Sequence, residues 1–350
     1  MSLRLLGGLT PREFLRRHWQ KCPLFVRQAF PGFKNVLNEH ALAQLATRDD
    51  VESRIVQRRG ARYETTHGPF ERVVMRRRDW TLLVSGVNLH HRGADALLRC
   101  FSFVPQARLD DLMVSYATTG GGVGPHVDSY DVFLLQGSGR RRWKVWDLKQ
   151  KAFQLMAGPG DLLYLPPGWR HDGVALEPCF THSIGFRVPR GAELGAAFLD
   201  WLHEHGLPDA RYTDPLLKAT RAGGRIPGEM KAFAARVLRR IRWGAGNVTD
   251  FLGEYLSMPK PHIVFRPGRG RRSLESALVR LDPKTQLLYS GKRFFINGER
   301  FTVAAGSAAT LRRLADRRSA QGRALAQARL GPLISAWQRQ GYVHLEAMYG

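Results

Sequence analysis

A histidine and an aspartate stand two residues apart at the end of a glycine-rich run, as His126-Val127-Asp128. Residues at this spacing point to the same face of a β-strand, so an imidazole nitrogen and a carboxylate oxygen can bind one metal ion together. On its own the pair is weak evidence, because a polar turn at the edge of a strand gives the same pattern.

A third candidate ligand strengthens this interpretation. Residues 158–171 read as a turn, a strand, a Pro-Pro-Gly corner and then His171. The corner is expected to hold His171 rigidly just past the end of that strand. Two histidines and one carboxylate are the ligand set of non-haem Fe(II) oxygenases, which leaves open positions on the metal. The sequence therefore predicts a metal centre formed by His126, Asp128 and His171.

Three consecutive arginines, Arg140-Arg141-Arg142, follow a Gly-Ser-Gly turn. Strand alternation sends Arg141 to the face opposite that of its two neighbours. If Arg141 faces the interior, it is a buried cation that needs an anion, and a guanidinium is suited to binding a carboxylate through two hydrogen bonds. In an iron site, the distal carboxylate of 2-oxoglutarate would meet that need. The alternative is a solvated basic turn.

The other histidines and the cysteines give weaker signals. His182 lies on a predicted strand and reads as a core or supporting residue, and Cys179 reads as a small core residue. The three cysteines are far apart, which argues against a disulfide framework or a structural zinc site and favours a reducing compartment. The remaining pairs read as solvated residues or as an incomplete ligand set: His90-His91, His203-Glu204-His205, and His344 with Glu346.

The elements that must position these residues are predicted from the hydrophobic pattern. Between about residues 54 and 186, short runs rich in β-branched and aromatic residues alternate with Gly and Pro turns. This pattern predicts an all-β barrel or jelly roll. Helices are predicted before it, at residues 10–20 and 36–46, and a mainly helical segment follows residue 189.

The last part of the chain reads as a separate unit. Strand-like runs flank Asn297-Gly298, a dipeptide typical of a two-residue hairpin turn. Helices are predicted after it at about residues 307–317 and 323–340, and a hairpin with small helices resembles a winged helix. We therefore predict three domains: a β-rich domain at 1–190, a helical region at 191–262 and a winged-helix-like domain at 263–350.

The chain is strongly basic: 54 Lys and Arg oppose 30 Asp and Glu, a formal net charge of +24. Such an excess predicts an anionic partner, or a partner embedded in anionic material. No run approaches the roughly 20 consecutive apolar residues of a membrane span. Thr10-Pro11-Arg12-Glu13 begins a helix soon after the first residue, so we expect no signal peptide, no membrane contact and a cytoplasmic location.

Several motifs together resemble the JmjC-domain bacterial ribosomal oxygenases, iron- and 2-oxoglutarate-dependent enzymes that hydroxylate an arginine of a large-subunit ribosomal protein. The resemblance extends from about Leu9 to the C-terminus. Its most specific part is LMVS at 112–115 with GGGVGPHVDSYDVF at 120–133. It is supported by QGSGRRRW at 136–143, LYLPPG at 163–168, HGPF at 67–70 and DDLM at 110–113.

The resemblance implies a fold and a set of roles. The fold would be a double-stranded β-helix of the jelly-roll or cupin type, followed by a helical dimerisation region and a winged-helix-like domain. His126, Asp128 and His171 would bind Fe(II), and Arg141 would bind the 5-carboxylate of 2-oxoglutarate. Weaker assignments are Ser115 and Thr181 beside the co-substrate, and Tyr130 and Asp131 near the substrate cleft. The chain would form a homodimer.

One segment departs from the family pattern. Between Trp146 and Gly158 the chain has only eleven residues, where the family usually carries a longer and often acidic insertion. The departure does not affect the ligands. It concerns the loop that helps to frame the substrate entrance, and the missing acidic stretch contributes to the high net charge.

Two other classes of function stay open at this stage. One is a nucleic-acid- or ribosome-binding protein with an inactive cupin domain, which the charge and the arginine clusters favour; a contact with rRNA is compatible with either class. The arginine clusters are at 76–78, 239–242 and 312–313. The second class is a different metal-cupin enzyme, such as an isomerase.

A protein substrate carrying an arginine would need acidic groups near the site. The candidates are Asp110, Asp111 and Asp131.

Overall fold

The computed structural model describes residues 3–75, 78–147, 149–267 and 272–347. The chain divides into two compact units, each discontinuous in sequence. The first contains the chain up to residue 188 together with residues 259–285 and those from 309 onward, and the second contains residues 189–258 and 286–308. These two units are a different kind of division from the three sequential domains expected from the sequence, and those domains stay a prediction. Of the first arginine cluster, Arg76 and Arg77 lie outside the described residues.

The first unit begins with short capped helices. Thr10 accepts a hydrogen bond from the backbone N–H of Glu13, whose carboxylate in turn accepts one from the N–H of Thr10, so a capping box starts the first helix as predicted. Asn38 caps the second helix in a similar way. The helices are α1 (Pro11–Arg17), α2 (Glu39–Leu45) and α3 (Arg92–Arg99).

The described residues of this unit up to 186 form twelve strands. They are β1 (Leu24–Val26), β2 (Ser53–Arg59), β3 (Arg62–His67), β4 (Trp80–Val84), β5 (Leu109–Ala117), β6 (His126–Val127), β7 (Val132–Gln136), β8 (Arg141–Trp146), β9 (Ala152–Ala157), β10 (Leu162–Leu165), β11 (Arg170–Ala175) and β12 (Cys179–Phe186).

These strands form two antiparallel sheets. The larger has eight strands in the order β1-β10-β7-β12-β5-β4-β2-β3, and the smaller has four in the order β6-β11-β8-β9. The sheets face each other over a shared apolar cluster, to which the larger sheet contributes residues such as Leu134 and Leu163 and the smaller contributes Trp143 and Val145. Two facing antiparallel sheets with non-sequential neighbours form the predicted jelly roll.

The central strand β12 is buried along its whole length because both of its faces are covered. Phe180, Ile184 and Phe186 point into a large core shared with the N-terminal helices. The alternate residues, such as Thr181 and Ser183, line a cavity between the two sheets. One strand therefore supports the hydrophobic core on one side and the candidate site on the other.

A second small sheet completes the first unit. Its strands are β13 (Ala277–Leu281), β17 (Ser319–Gln321) and β18 (Val343–Ala347), in the order β17-β13-β18. The helix that we predicted over 323–340 is two helices, α8 (Gly322–Gln327) and α9 (Gly331–Gln340). The break has a local cause: Arg329 has a φ of +57°, and Pro332 in the first turn of α9 starts a new helix.

The second unit contains three helices and a meander. These are α4 (Gly191–Glu204), α5 (Gly228–Leu238) and α6 (Ala245–Ser257) with β14 (Leu287–Ser290), β15 (Arg293–Ile296) and β16 (Glu299–Thr302). The predicted turn joins β15 to β16, with positive φ at both Asn297 and Gly298. Helix α7 (Ala305–Arg317) follows. Over the described residues, no helix combines the length and apolarity needed to span a bilayer.

Candidate metal centre

The three predicted ligands meet at one edge of the four-stranded sheet. Strands β6 and β11 pair antiparallel, with His126 directly opposite His171. Their ring centroids are 4.2 Å apart, and Asp128 lies 3.9 Å from Nε2 of His126 and 3.6 Å from Nε2 of His171. One ligand atom from each residue lies within 4.8 Å of the others. In the described part of the chain, no other group of three His, Cys, Asp or Glu residues meets this criterion.

Both imidazoles are oriented by backbone carbonyl groups. Nδ1 of His126 lies 2.9 Å from the carbonyl oxygen of Gly124, and Nδ1 of His171 lies 3.0 Å from that of Trp169. A proton on each Nδ1 leaves the lone pair of Nε2 directed at the shared centre, as a metal requires. Burial, and next the neighbouring imidazole of His126, lower the pKa of His171, which favours the neutral form of that ring. The donor set therefore fits a divalent transition metal.

Neighbouring atoms lie so close to the backbone of the glycine-rich run before the ligands that there is no room for a Cβ at Gly122 or Gly124. Gly124 has a φ of +83°, and a Cβ there would lie 2.8 Å from the ring of Tyr63. A Cβ on Gly122 would lie 2.5 Å from the carbonyl oxygen of Gly173 on β11. The Pro-Pro-Gly corner is tied to the same place, since the N–H of Gly168 donates a hydrogen bond to the carbonyl oxygen of Asp128.

A cavity of about 440 Å³ opens from the three ligands between the two sheets. Arg141 lines it with a side chain that is almost fully buried. Its Nη2 lies 3.7 Å from the sulfur of Cys179, its guanidinium lies 5.6 Å from the ring centroid of Trp143, and its Nε has no hydrogen-bond partner. No described carboxylate forms an ion pair with it. A buried guanidinium without an anion fits the carboxylate of a small acid bound beside the metal.

The two hydroxyl residues assigned to the co-substrate lie side by side in this cavity. Ser115 on β5 is the cross-strand partner of Thr181 on β12, and both are buried. The hydroxyl of Thr181 donates to the side-chain oxygen of Gln136 at 3.3 Å, and that of Ser115 donates to the carbonyl of Thr181 at 3.5 Å. Both hydroxyl oxygens keep lone pairs for a further donor.

Of the two residues predicted near the substrate cleft, only one lies there. Tyr130 lines the cavity and is 40% exposed; burial, then the charges of Asp128 and Asp111, raise its pKa to about 12. Asp131 is fully buried on the other side, where it accepts hydrogen bonds from the hydroxyl of Tyr164 at 2.6 Å and from Gln20 at 3.0 Å. The prediction for Asp131 is therefore corrected.

The cavity also contains charged residues without a local signal in the sequence. Glu52 and Arg54 reach it from the start of β2, and Lys260 reaches it from a segment more than 70 residues beyond β12. Asp110 and Asp111, two of the acidic candidates, line it as well. Asp111 accepts a hydrogen bond from the N–H of Gly86, and burial raises the pKa of its carboxyl group.

Three other histidines singled out in the sequence pack in the core, pair with a carboxylate or stack on an aromatic ring. His182 faces the hydrophobic core beside Phe33 and Phe180, where burial lowers its pKa to about 4. His344 pairs with Asp282 rather than with a metal partner, at 2.7 Å. His205 stacks on Trp201 at 4.0 Å between ring centroids.

Comparison with known proteins agrees with this geometry. The JmjC domain family matches residues 96–194, and the ROXA-like winged helix family matches residues 241–344. The chain is 34% identical over 316 residues to ribosomal protein uL16 3-hydroxylase of Escherichia coli (strain K12). The aligned region covers 82% of this chain and 84% of that protein. It is also 34% identical over 208 residues to a probable ribosomal oxygenase of Haemophilus influenzae, covering 53% of this chain and 52% of that protein.

Solved structures give the same relationship along nearly the whole chain. The structure of YcfD, a ribosomal oxygenase from Escherichia coli, superposes with a TM-score of 0.81 at 32% identity, covering 97% of this chain and 98% of that chain. The structure of YcfD in complex with cobalt and 2-oxoglutarate superposes with a TM-score of 0.81 at 31% identity, covering 97% of this chain and 99% of that chain.

Proposed function

The chain belongs to the JmjC-domain ribosomal oxygenases, and we propose that it hydroxylates an arginine side chain of a large-subunit ribosomal protein. It is a metal- and 2-oxoglutarate-dependent oxygenase, and its class of substrate is a ribosomal protein. The observation that carries the proposal is the juxtaposition, in one cavity, of three convergent metal ligands and a buried guanidinium without an anion.

The roles of the residues follow from their chemistry. His126, Asp128 and His171 would hold Fe(II) through two nitrogens and one carboxylate. Arg141 would bind the distal carboxylate of 2-oxoglutarate, with the hydroxyls of Ser115 and Thr181 beside it. The bound metal supplies the oxidative decarboxylation of 2-oxoglutarate by O₂, which gives succinate, CO₂ and a hydroxylated side chain. The chain itself orients both molecules and keeps water from the site.

Support for arginine as the target comes from the acidic wall of the cavity. Asp110 already pairs with Arg187 at 3.4 Å and with Lys260 at 3.6 Å. Asp111 has no ion pair within 4 Å among the described residues, so it lacks a cation in direct contact. Burial raises the pKa of its carboxyl group, and the attraction of Lys260 offsets that only in part. A substrate guanidinium would supply that cation. The ring of Tyr130 at the cavity mouth offers a surface on which a guanidinium can stack.

Exposed apolar side chains support a homodimer formed through the helical segment 191–262. Leu199, Leu216, Leu238 and Trp243 are each more than half exposed in the second unit. An apolar surface of this kind is typical of a protein interface. We place the enzyme in the cytoplasm, where ribosomal proteins are made. The assignment of the three metal ligands and the division into three domains are part of the same proposal.

The test is peptide-dependent turnover. Purified protein is loaded with Fe(II) and 2-oxoglutarate without oxygen, and the reaction is started with O₂ in the presence of a peptide from the candidate ribosomal protein. We expect succinate release and a peptide heavier by one oxygen atom on its arginine. His126→Ala and Arg141→Ala should abolish both, and a peptide with lysine in place of that arginine should stay unmodified. Modification of a different residue type would contradict the arginine assignment.

A further inference from the structure

The outer face of the four-stranded sheet takes no part in the metal centre, and it is basic. Alternation along β6 and β11 sends His126 and His171 inward and their neighbours Val127 and Arg170 outward. The same alternation along β8 buries Arg141, Trp143 and Val145 and turns the residues between them outward. We define the basic sheet face by Arg142, Lys144, Trp146, Gln154 and Arg170.

Two of its cations converge on one aromatic ring. Nζ of Lys144 lies 4.7 Å from the ring centroid of Trp146, and Cζ of Arg170 lies 4.8 Å from it. These contacts hold long side chains in place on an exposed surface, which lowers the entropy that a ligand must remove on binding. The ring thus organises the cations.

The cations of this face are not neutralised within the protein. Neither Arg142, Lys144 nor Arg170 forms an ion pair within 4 Å with any carboxylate of the described residues. Asp172 is the cross-strand partner of Lys144, yet the two do not pair. Some exposed arginines outside this face do have carboxylate partners, for example Arg59 with Glu64 and Arg140 with Glu177. The basic sheet face therefore favours an anionic partner.

The remaining groups of the face favour bases as well as phosphates. The guanidinium planes of Arg142 and Arg170 can stack on bases, and the amide of Gln154 can hydrogen-bond to a base edge or to a ribose 2′-hydroxyl. Exposed apolar side chains border the face, with Val127 at 55% and Met156 at 49%. A double helix would hide its bases from these groups, and a second copy of this chain would present like charges.

We propose that the basic sheet face binds single-stranded RNA. The choice of RNA over DNA rests on the proposed function, because a ribosomal protein is encountered beside ribosomal RNA. The metal ligands lie on the opposite side of the same strands, so RNA bound here would lie near the cavity that receives the protein substrate.

The test is fluorescence anisotropy with a labelled 12-nucleotide uridine RNA and the full chain, without metal or 2-oxoglutarate. The variant Lys144→Gln/Arg170→Gln should weaken binding about tenfold and reduce the slope of log affinity against log salt by about 1.4, which is 0.7 for each lost phosphate contact. The matched variant Arg221→Gln/Arg225→Gln removes the same charge from exposed residues of the other unit, outside the arginine clusters, and should change affinity less than about twofold.

The role of Trp146 in holding the two cations, and the chemical class of the ligand, are tested separately. Trp146→Ala should weaken binding about fivefold or more, and Trp146→Phe should retain most of it. A thymidine 12-mer should bind more weakly than the RNA, and poly-glutamate should not displace the RNA at equal charge concentration. Equal losses in the two double variants, equal affinity for DNA, or displacement by poly-glutamate would overturn the proposal.

A failure of RNA binding can be distinguished from a failure of the proposed hydroxylase function. The anisotropy assay needs neither iron nor 2-oxoglutarate, and the hydroxylation assay uses a peptide free of RNA. We expect the Lys144→Gln/Arg170→Gln variant to hydroxylate the peptide at the rate of the unchanged protein. RNA binding without peptide hydroxylation would contradict only the proposed hydroxylase function. Hydroxylation without RNA binding would contradict only the proposal that the basic sheet face binds RNA.

Discussion

The guanidinium of Arg141 donates a hydrogen bond to the sulfur of Cys179, with Nη2 and Sγ 3.7 Å apart in the buried wall of the cavity. A thiol sulfur is a weak acceptor and carries no charge, so it orients the guanidinium without neutralising it. The buried cation is thereby held ready for a carboxylate. Cys179 is the small core residue that the sequence predicted, packed with Ala117 and Ala175, and we predict that it also positions Arg141.

Removal of that sulfur should weaken 2-oxoglutarate binding. We expect Cys179→Ala to raise the KM for 2-oxoglutarate about three- to fivefold with little change in kcat, because one neutral hydrogen bond is lost. Cys179→Ser should restore most of the affinity. Equilibrium binding of 2-oxoglutarate to the Mn(II)-loaded protein checks the same order without turnover. Cys100→Ala, at the exposed end of α3, is the matched control. Equal behaviour of the Ser and Ala variants at Cys179 would contradict this role.

Asp131 should matter for stability and not for substrate binding. We expect Asp131→Ala to lower the free energy of unfolding by about 3 kcal/mol, because Tyr164 and Gln20 lose a buried acceptor. Tyr164→Phe should cost about 1 kcal/mol. Urea denaturation measures both changes. The peptide KM of the folded variants should be unchanged; a raised peptide KM at unchanged stability would return Asp131 to the cleft.

Gly124 should tolerate a side chain less well than Gly168, although their backbone angles are nearly equal, with φ at +83° and +84°. A Cβ at Gly168 meets nothing within 4 Å, whereas one at Gly124 meets the ring of Tyr63. We expect Gly168→Ala to cost about 1 kcal/mol from the backbone alone. Gly124→Ala should cost more and should also weaken Mn(II) binding, because His126 moves with it. Thermal unfolding and metal titration measure this pair, and equal effects at the two positions would argue against the contact with Tyr63.

The carboxyl group of Asp111 should make stability depend on pH in a stated direction. Burial raises its pKa in the folded state above the usual 3.8. Its favourable contribution is therefore complete below pH 3.8 and is lost as pH rises through the folded-state pKa. We expect Asp111→Asn to be more stable than the unchanged protein at pH 7, with the difference vanishing towards pH 3.5. The same variant should weaken peptide binding. Denaturation midpoints across pH provide the measurement, and a difference that grows towards low pH would contradict the assignment.

Much of the site could be read from the sequence because its signals are local. Alternation along β8 predicts the inward direction of Arg141. The two-residue spacing of His126 and Asp128 predicts that their ligand atoms meet, as they do, although β6 ends at Val127. Asp131 was placed near the cleft by the family resemblance alone. Residues 128–131 lie outside the strands, between β6 and β7, so no alternation indicates where its side chain points. Alternation therefore predicts side-chain direction along a strand and gives no direction in the segment between strands.

Tertiary proximity accounts for what was missed. Glu52, Arg54 and Lys260 belong to segments far apart in sequence, and no local spacing links them to the ligands. The helix predicted over 323–340 failed for a different reason, since apolar periodicity continues across a break that a positive φ at Arg329 imposes. The fold class itself was accessible, because twelve short strands with Gly and Pro turns allow few architectures.

The pairing of β6 with β11 also fixes when the metal centre can form. Four strands, two from each sheet, separate β6 from β11 in the chain, so His126 meets His171 only across a long closed loop. During synthesis, a nascent chain ending before residue 171 contains His126 and Asp128 but lacks the third ligand. Binding of a metal by all three ligands therefore requires the pairing of β6 with β11, and it reports that this part of the sheet has closed.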